Sequence, residues 1–414
     1  MVLLECCVGF IIAVNAFKLY VDSRQWLRYK NHSLPDTLKG LVSEEDYLKA
    51  QKYGFDKISF KMLQSYMSAL EEIAVLYFGV LNWLWDKAEQ QLFGVGIYSE
   101  TLHALWFSLL LMIVNKVESI SSEAYSTFVI EERHGFNKTT WTEFFKDQVK
   151  HLLLGVTLQG FVLWVLLWLM KWGGEYFYIY IWGFLTVFIF VLSHLYHDFI
   201  APLFNEFKEL EQNKLRSSIE ALAQKLKFPL KQIYVIDGSR RSEHSNAYFF
   251  GFWKNKRIVI FDTLLDPKKD MAEEEILAVV GHELGHWQES HFFKRLCVLE
   301  VYIFVLFFLF GKVMYSPELY SAFGFRQNNF VGLLIFSYLF APVSFLLGLA
   351  TVYMSRSHEF QADDFAKKLD MGGALKEALV KLHTKNSGNM DPDPLYAAVN
   401  FSHPALLERV KPLT

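Results

Sequence analysis

The clearest chemical pattern in the sequence is the run His282-Glu283-Leu284-Gly285-His286. On a helix, residues four positions apart lie one turn apart on the same face, so both imidazoles can reach one metal ion. Glu283 would lie beside them, placed to accept a proton from water at the metal. With 13 histidines in 414 residues, such a run is expected by chance only about 0.02–0.03 times. The pattern therefore predicts a Zn²⁺ site, one per chain.

The third zinc ligand is not determined by spacing. A metzincin would have Gly and His three and six residues after the second histidine, but Glu289 and Phe292 stand there. A gluzincin takes a glutamate from a later helix. Glu359 and Asp363 lie four residues apart, which suits one metal ligand and one carboxylate that orients a ligand histidine. A solvated cluster of charges explains that pair equally well.

A small α/β unit over residues 201–295 must position the His-Glu pattern. Residues 206–226 have helical periodicity, and Asp270 is a plausible cap for a helix that runs from about Ala272 through His291. β-rich runs predict strands, the last two of which form a hairpin. These runs are Gln232–Ile236, Ala247–Trp253 and Arg257–Phe261.

Long uncharged runs predict a protein that crosses a lipid bilayer several times. A span needs about 20 mostly apolar residues, and seven segments are candidates. Four are clear: Leu152–Met170, Tyr176–Leu195, Leu296–Tyr315 and Val331–Met354. Three are weaker and could instead be interfacial or buried helices: Val2–Phe17, about Met67–Trp85, and Tyr98–Val114.

The charges of the loops predict which side of the membrane each one occupies. With seven spans, and without the long loop 196–295, one side carries 21 Lys and Arg residues and the other carries 4. The positive-inside rule then places the large loops and the C-terminus in the cytosol.

The net charge of −3 gives no reason to expect nucleic-acid binding. Three cysteines are too few for a disulfide scaffold, and no CxxC pair offers a zinc site.

Four segments together resemble the CAAX prenyl protease 1 family over essentially the whole chain. They are HSNAYFFGFWKNKRIVIFDTLL, HELGHW, SRSHEFQADDFAKKL after a span, and SHPALLERV near the C-terminus. The resemblance implies a mostly α, multi-span membrane protein. Its seven transmembrane helices would enclose a chamber and carry a gluzincin-type zinc peptidase unit with a small β-sheet. It also implies an endopeptidase of the endoplasmic reticulum membrane, with the inner nuclear membrane as a second location. The enzyme would remove the last three residues of farnesylated or otherwise prenylated CAAX proteins.

The resemblance also implies roles for individual residues. The family's zinc ligands match His282, His286 and Glu359, and its general base matches Glu283. Asp363 matches the carboxylate that orients a ligand. His403 matches a catalytic histidine near the reaction centre that would hydrogen-bond the oxyanion. Asn246 and Ala247 match a substrate-binding edge strand, and Arg409 is grouped with the substrate-binding residues in a supporting role.

The predicted organisation has four parts: spans 1–5 in residues 1–200, the peptidase core in 201–295, spans 6–7 in 296–354, and a cytosolic remainder in 355–414. Two other functions remain open. A membrane quality-control metalloprotease would share the zinc site but cleave unprenylated substrates. A catalytically inactive receptor for lipidated proteins would not need the intact set of zinc-site residues. Neither the physiological substrate nor the oligomeric state follows from the sequence.

Overall fold

The computed structural model describes residues 2–251 and 255–413, which are mostly helical. Strands occur only between the sixth and eighth helices of the described chain. The helices are α1 (Val2–Tyr29), α2 (Glu44–Tyr77), α3 (Val80–Gly94), α4 (Glu100–Tyr125), α5 (Trp141–Trp172), α6 (Phe177–Leu195), α7 (Lys214–Lys225), α8 (Glu273–Gln288), α9 (His291–Val313), α10 (Pro317–Ser321), α11 (Asn329–Lys368), α12 (Gly372–Lys385), α13 (Pro394–Asn400) and α14 (Leu406–Val410). The strands are β1 (Phe207–Glu209), β2 (Leu230–Ile236), β3 (Ala247–Phe250) and β4 (Lys256–Phe261).

Among the described residues, six helical segments are long and apolar enough to cross a membrane. They overlap six of the seven predicted spans and include helices α1, α4, α5, α6, α9 and α11. The seventh prediction, Met67–Trp85, crosses the junction of α2 and α3, where the chain bends by 64°. Gly79 at this bend has a φ of +63°, which glycine adopts without a Cβ clash. The count is seven if this bent pair forms one span.

Two apolar cores hold the long helices together. One joins α1, α2, α3 and α4 to α11 through residues such as Ile11, Leu76 and Phe107. The other joins α5, α6, α9 and α11 through residues such as Ile181 and Phe310. Because α11 belongs to both cores, it connects the two groups of helices.

The sheet has the strand order β1-β2-β4-β3. Strands β3 and β4 pair antiparallel, which confirms the predicted hairpin, and β2 pairs parallel to β4. The predicted helix over residues 206–226 begins too early. Phe207–Glu209 instead pairs with β2, and Asn213 caps the helix through the backbone N–H of Arg216. The predicted strand over 247–253 is observed as β3, and its last two predicted positions, 252 and 253, lie outside the described residues.

A third apolar core lies between the sheet and three helices. Apolar residues of α7, α8 and α12 pack against those of the strands, among them Ile219, Ile233, Ile258, Leu284 and Ala378. Burying such side chains supplies most of the free energy that holds α8 on the sheet, at about 1.5–3 kcal/mol for each large one. Helix α8 is thus fixed along its length by the core beneath it.

The helix that carries the His-Glu pattern differs from its prediction at both ends. Ala272, not Asp270, is the N-cap, and its N–H donates to the Glu275 carboxylate. Asp270 has a φ of +52° and lies outside the helix. The helix ends at Gln288 because Ser290 adopts a φ of +56°, and α9 begins at His291. The chain therefore turns directly after the pattern into the next candidate span.

Candidate metal centre

His282 and His286 share one face of α8, as their spacing predicts. Their Nε2 atoms lie 3.1 Å apart. His282 is 5% exposed, and its Nε2 faces Glu359 of α11. The buried helix places two imidazole nitrogens at one point.

Glu359 of α11 completes a group of three potential ligands. Its carboxylate oxygens lie 3.5 Å from His282 Nε2 and 3.3 Å from His286 Nε2. Zinc bound tetrahedrally at distances of about 2.0–2.1 Å would hold its ligand atoms about 3.3 Å apart. The observed separations therefore fit the donor set of a zinc ion. In the described chain, this trio is the one group of His, Cys, Asp or Glu residues close enough to hold a metal ion.

Asp363 lies one turn beyond Glu359 and contacts the other nitrogen of the first histidine. Its Oδ1 is 2.8 Å from His282 Nδ1. Arg409 of α14 donates to both oxygens of Asp363, at 2.7 and 2.8 Å. Such a carboxylate fixes the ring so that Nε2 is free for a metal ion. Arg409 in turn compensates the buried charge of Asp363, and its predicted place among the substrate-binding residues stays a prediction.

The carboxylates favour a cation at this point. Burial alone would lower the pKa of His282, but hydrogen bonds to Asp363 and Glu359 raise that pKa to about 9. Whether the cation is a proton or a metal ion, the same negative charges stabilise it. The electrostatics of the site thus agree with the geometry of the three ligand atoms.

Glu283 lies at the wall of a cavity of about 550 Å³. Residues of α8, α11, the β3–β4 hairpin and the C-terminal segment line this cavity, including Phe249, Lys256, Glu283, His286, Glu359 and His403. Burial raises the pKa of Glu283, and the charges of His282 and His286 oppose that effect. A carboxylate with a raised pKa beside the three potential ligands is suited to accept a proton near neutral pH.

His403 reaches the same cavity from the C-terminal segment. Its Nδ1 lies 2.8 Å from Glu359 Oε2, and 67% of its side chain is exposed. Since it is both close to a ligand and accessible, it can meet a substrate without rearrangement of the core. The distance fits the role that the resemblance implies.

Strand β3 is an edge of the sheet, and the Ala247 N–H on its outer side donates to Asn246 Oδ1 at 2.8 Å. Asn246 accepts from Phe261 N–H and thereby joins the ladder with β4. The alternation of an antiparallel pair then turns the backbone groups of Ala247 and Phe249 to the outer side. Asn246 is exposed and the Ala247 side chain is buried in the core. Phe249 and Phe250 of β3 line the cavity, whereas the predicted Asn246 and Ala247 are not among its lining residues.

Gly285 allows α8 to approach α11 closely enough for the three ligands to meet. A Cβ at this position would lie 3.1 Å from Ala362 Cα and 3.2 Å from Ala362 O. Backbone atoms of a packed helix cannot yield as a flexible side chain does. The glycine within the His-Glu pattern is therefore a packing requirement.

The variant Gly285→Ala is expected to lose about 1–3 kcal/mol of stability through overpacking and to bind metal less tightly. The two helices would have to separate, which moves Glu359 away from the histidines. Thermal unfolding and metal content in detergent measure both effects. Gly348→Ala is the matched control, because a Cβ at that position of α11 meets nothing within 4 Å. Equal behaviour of the two variants would contradict this account of the helix contact.

Comparison with known proteins assigns the chain to a family. Residues 25–206 match the family described as CAAX prenyl protease N-terminal, five membrane helices, and residues 209–414 match peptidase family M48. A CAAX prenyl protease 1 homolog of Arabidopsis thaliana is 41% identical over 411 residues, covering 99% of this chain and 96% of the relative. The chain belongs to the CAAX prenyl protease 1 family. It is a multi-span membrane metallopeptidase, and the family assignment implies a metal cofactor.

Further members of the family agree with this assignment. The CAAX prenyl protease 1 homolog of Homo sapiens is 38% identical, covering 98% of this chain and 94% of the relative. The crystal structure of S. mikatae Ste24p has a TM-score of 0.93 at 32% identity, covering 100% of this chain and 99% of that chain. The mostly helical fold with a small sheet is thus confirmed. The enclosed chamber remains a prediction.

Sequence reasoning did not identify three polar residues behind the metal centre. His291, His358 and Gln361 lie next to His286 or to one another. His291 stands at the start of α9, and the other two stand beside Glu359 on α11. A histidine shortly after the His-Glu pattern was the available signal, but its contacts depend on how α9 packs against α11.

Proposed function

We propose that the chain is a Zn²⁺-dependent endopeptidase that removes the last three residues of prenylated CAAX proteins. The observation that carries the proposal is the meeting of His282, His286 and Glu359 beside Glu283 in one cavity. Full-length similarity to proteins named CAAX prenyl protease 1 homologs supports the choice of substrate.

The peptide would bind by pairing with the outer side of β3. Backbone groups of Ala247 and Phe249 face that side, and backbone pairing tolerates varied side chains. A peptide that accepts from the Ala247 N–H would displace the Asn246 Oδ1 atom that accepts from it in the structure. Asn246 would meet the peptide at the exposed start of the strand. Because the cavity is lined by Phe249 as well as Glu283, a paired peptide would run past the catalytic carboxylate.

The bond cleavage would combine a metal ion with residues of this chain. A zinc ion held by His282, His286 and Glu359 would supply a Lewis acid that polarises the scissile carbonyl and acidifies water. Glu283 would accept the proton from the attacking water and pass it to the leaving amine. His403 would donate to the carbonyl oxygen as negative charge develops there. Asp363, held by Arg409, would keep the His282 ring in place.

The membrane arrangement follows the same proposal. The distribution of Lys and Arg favours a cytosolic C-terminus and cytosolic active-site loops, in the membrane of the endoplasmic reticulum. Residues 1–200 and 296–354 would form the membrane part, and 201–295 with 355–414 the peptidase part. Helix α11 passes from one part into the other without a break, carrying Glu359 on its cytosolic end.

Removal of the prenyl group from a peptide substrate is expected to raise KM far more than it lowers kcat. Each CH₂ of the chain gains about 0.8 kcal/mol on burial, so burying four gives about 3 kcal/mol, or roughly 100-fold in affinity. The chemical step depends on Glu283, not on the lipid. Steady-state kinetics on matched farnesylated and S-methylated peptides would measure this difference. Equal kcat/KM for the two peptides would reject lipid recognition and favour a quality-control protease.

A further inference from the structure

The second ring nitrogen of His286 has an imidazole as its partner. His286 Nδ1 lies 2.9 Å from His291 Nδ1. His291 Nε2 lies 3.1 Å from Gln361 Oε1, and Gln361 Nε2 donates to Ser357 Oγ at 3.1 Å. Four side chains from α8, α9 and α11 thus form a continuous line that begins at a metal ligand.

The chemistry of these groups sets the direction of each hydrogen bond. With the Gln361 oxygen on the side of His291, as the structure places it, that oxygen accepts and His291 carries its proton on Nε2. In a neutral His291 ring, Nδ1 is then the acceptor, and the proton between the two rings belongs to His286 Nδ1. A His286 ring protonated on Nδ1 presents the lone pair of Nε2. That nitrogen is the one that lies 3.1 Å from His282 Nε2 and 3.3 Å from Glu359.

The packing around His291 holds the line in this arrangement. His291 is 0% exposed, so water does not compete for its nitrogens. The His358 ring stacks on it with centroids 3.9 Å apart and planes 11° apart. The Gln361 amide lies on the exposed side of α11 and is oriented by Ser357, one turn earlier.

The two histidine ligands are therefore oriented by different chemistry. Asp363 with Arg409 orients His282 through a charged pair. His291 with Gln361 orients His286 through neutral groups. A neutral partner fixes the ring without adding a further negative charge beside Glu283, Glu359 and the Asp363–Arg409 pair.

We propose that His291, held by Gln361, is a positioning residue that fixes the tautomer and ring orientation of His286 for metal binding. This inference rests on the proposed role of His286 as a ligand. It gives a reason for the turn at Ser290, which brings the first residue of α9 behind the ligand.

Paired variants separate hydrogen bonding from packing. His291→Leu and Gln361→Met remove the acceptors at similar volume, and are expected to weaken Zn²⁺ binding about 10- to 100-fold. His291→Asn places an amide oxygen near the former Nδ1, and Gln361→Glu still accepts from His291. Both should bind Zn²⁺ within a few-fold of the wild type. Competition with a chelator measures the affinity, and the absorption spectrum of the Co²⁺-loaded protein reports the ligand geometry.

The unfolding temperature of each metal-free variant provides the control for a purely structural role. Because Gln361 is exposed, both of its variants should have the same metal-free unfolding temperature as the wild type. Of the two, only Gln361→Met should weaken Zn²⁺ binding. Equal Zn²⁺ affinity of Gln361→Met, Gln361→Glu and the wild type would overturn the proposal. Equally weakened Zn²⁺ binding in His291→Asn and His291→Leu would also overturn the proposal. A wild-type protein that fails to bind Zn²⁺ would instead refute the proposed function.

Discussion

Replacing Glu283 with Gln is expected to reduce kcat by about 10²–10⁴-fold, the range for loss of a positioned general base. Gln keeps the shape of the side chain but cannot accept a proton. The metal ligands and the core beneath α8 are unchanged, so metal content and unfolding temperature should match those of the wild type. Single-turnover cleavage of a prenylated peptide, alongside metal analysis, measures each quantity.

The matched control for this substitution is Glu289→Gln. Glu289 is the exposed residue that follows the last turn of α8, so the same chemical change is made away from the cavity. Near-normal turnover is expected for this control. Near-normal turnover of Glu283→Gln itself would show that another group accepts the proton.

Substitution of Glu359 by Ala is expected to remove most of the bound zinc and, with it, peptide cleavage. The carboxylate lies 3.3 and 3.5 Å from the two histidine nitrogens and is 5% exposed. Two imidazoles alone are fewer than the three protein ligands usual at a catalytic zinc site. Loss of Glu359 also leaves Arg409, whose Nη1 lies 3.3 Å from it, with one fewer buried partner. Metal content after dialysis, for each single Ala variant of the three ligands, measures the prediction.

Glu289→Ala is again the control, because Glu289 is the nearest carboxylate after the His-Glu pattern in the sequence. It should retain one zinc per chain. Full zinc occupancy in Glu359→Ala together with loss of zinc in Glu289→Ala would show that Glu289, not Glu359, is the third ligand. The metal-free unfolding temperature of Glu359→Ala separates loss of a ligand from loss of the fold.

The parts of the site that could be predicted from sequence are those fixed within one helix. His282, Glu283 and His286 lie within five consecutive residues, and helical geometry alone brings the two rings together. Glu359 is far along the chain, so its meeting with them depends on how α8 packs on α11. Spacing left that carboxylate and a solvated cluster equally plausible, and only the resemblance favoured Glu359.

The features of the fold also divide into those set by local sequence and those set by packing between distant parts of the chain. Long apolar runs predicted most of the candidate spans because length and hydrophobicity are local properties. The bend at Gly79 divides one predicted span, Met67–Trp85. The sequence did not predict this bend, because a single glycine in an apolar run does not reveal how neighbouring residues pack. The strand at Phe207–Glu209 was missed because three residues carry too little pattern, and pairing with β2 decides their structure. The partnership of His291 and Gln361 likewise requires three helices to be in place.

The most direct test of the proposed function is the product formed from a prenylated CAAX peptide by the purified, zinc-loaded protein. Mass spectrometry should detect release of the last three residues by the wild type, and none above background with Glu283→Gln or after chelation of the metal. Readdition of Zn²⁺ should restore the product. Release of the same tripeptide by Glu283→Gln at the wild-type rate would contradict the account, as would cleavage only at other bonds or only in unprenylated peptides.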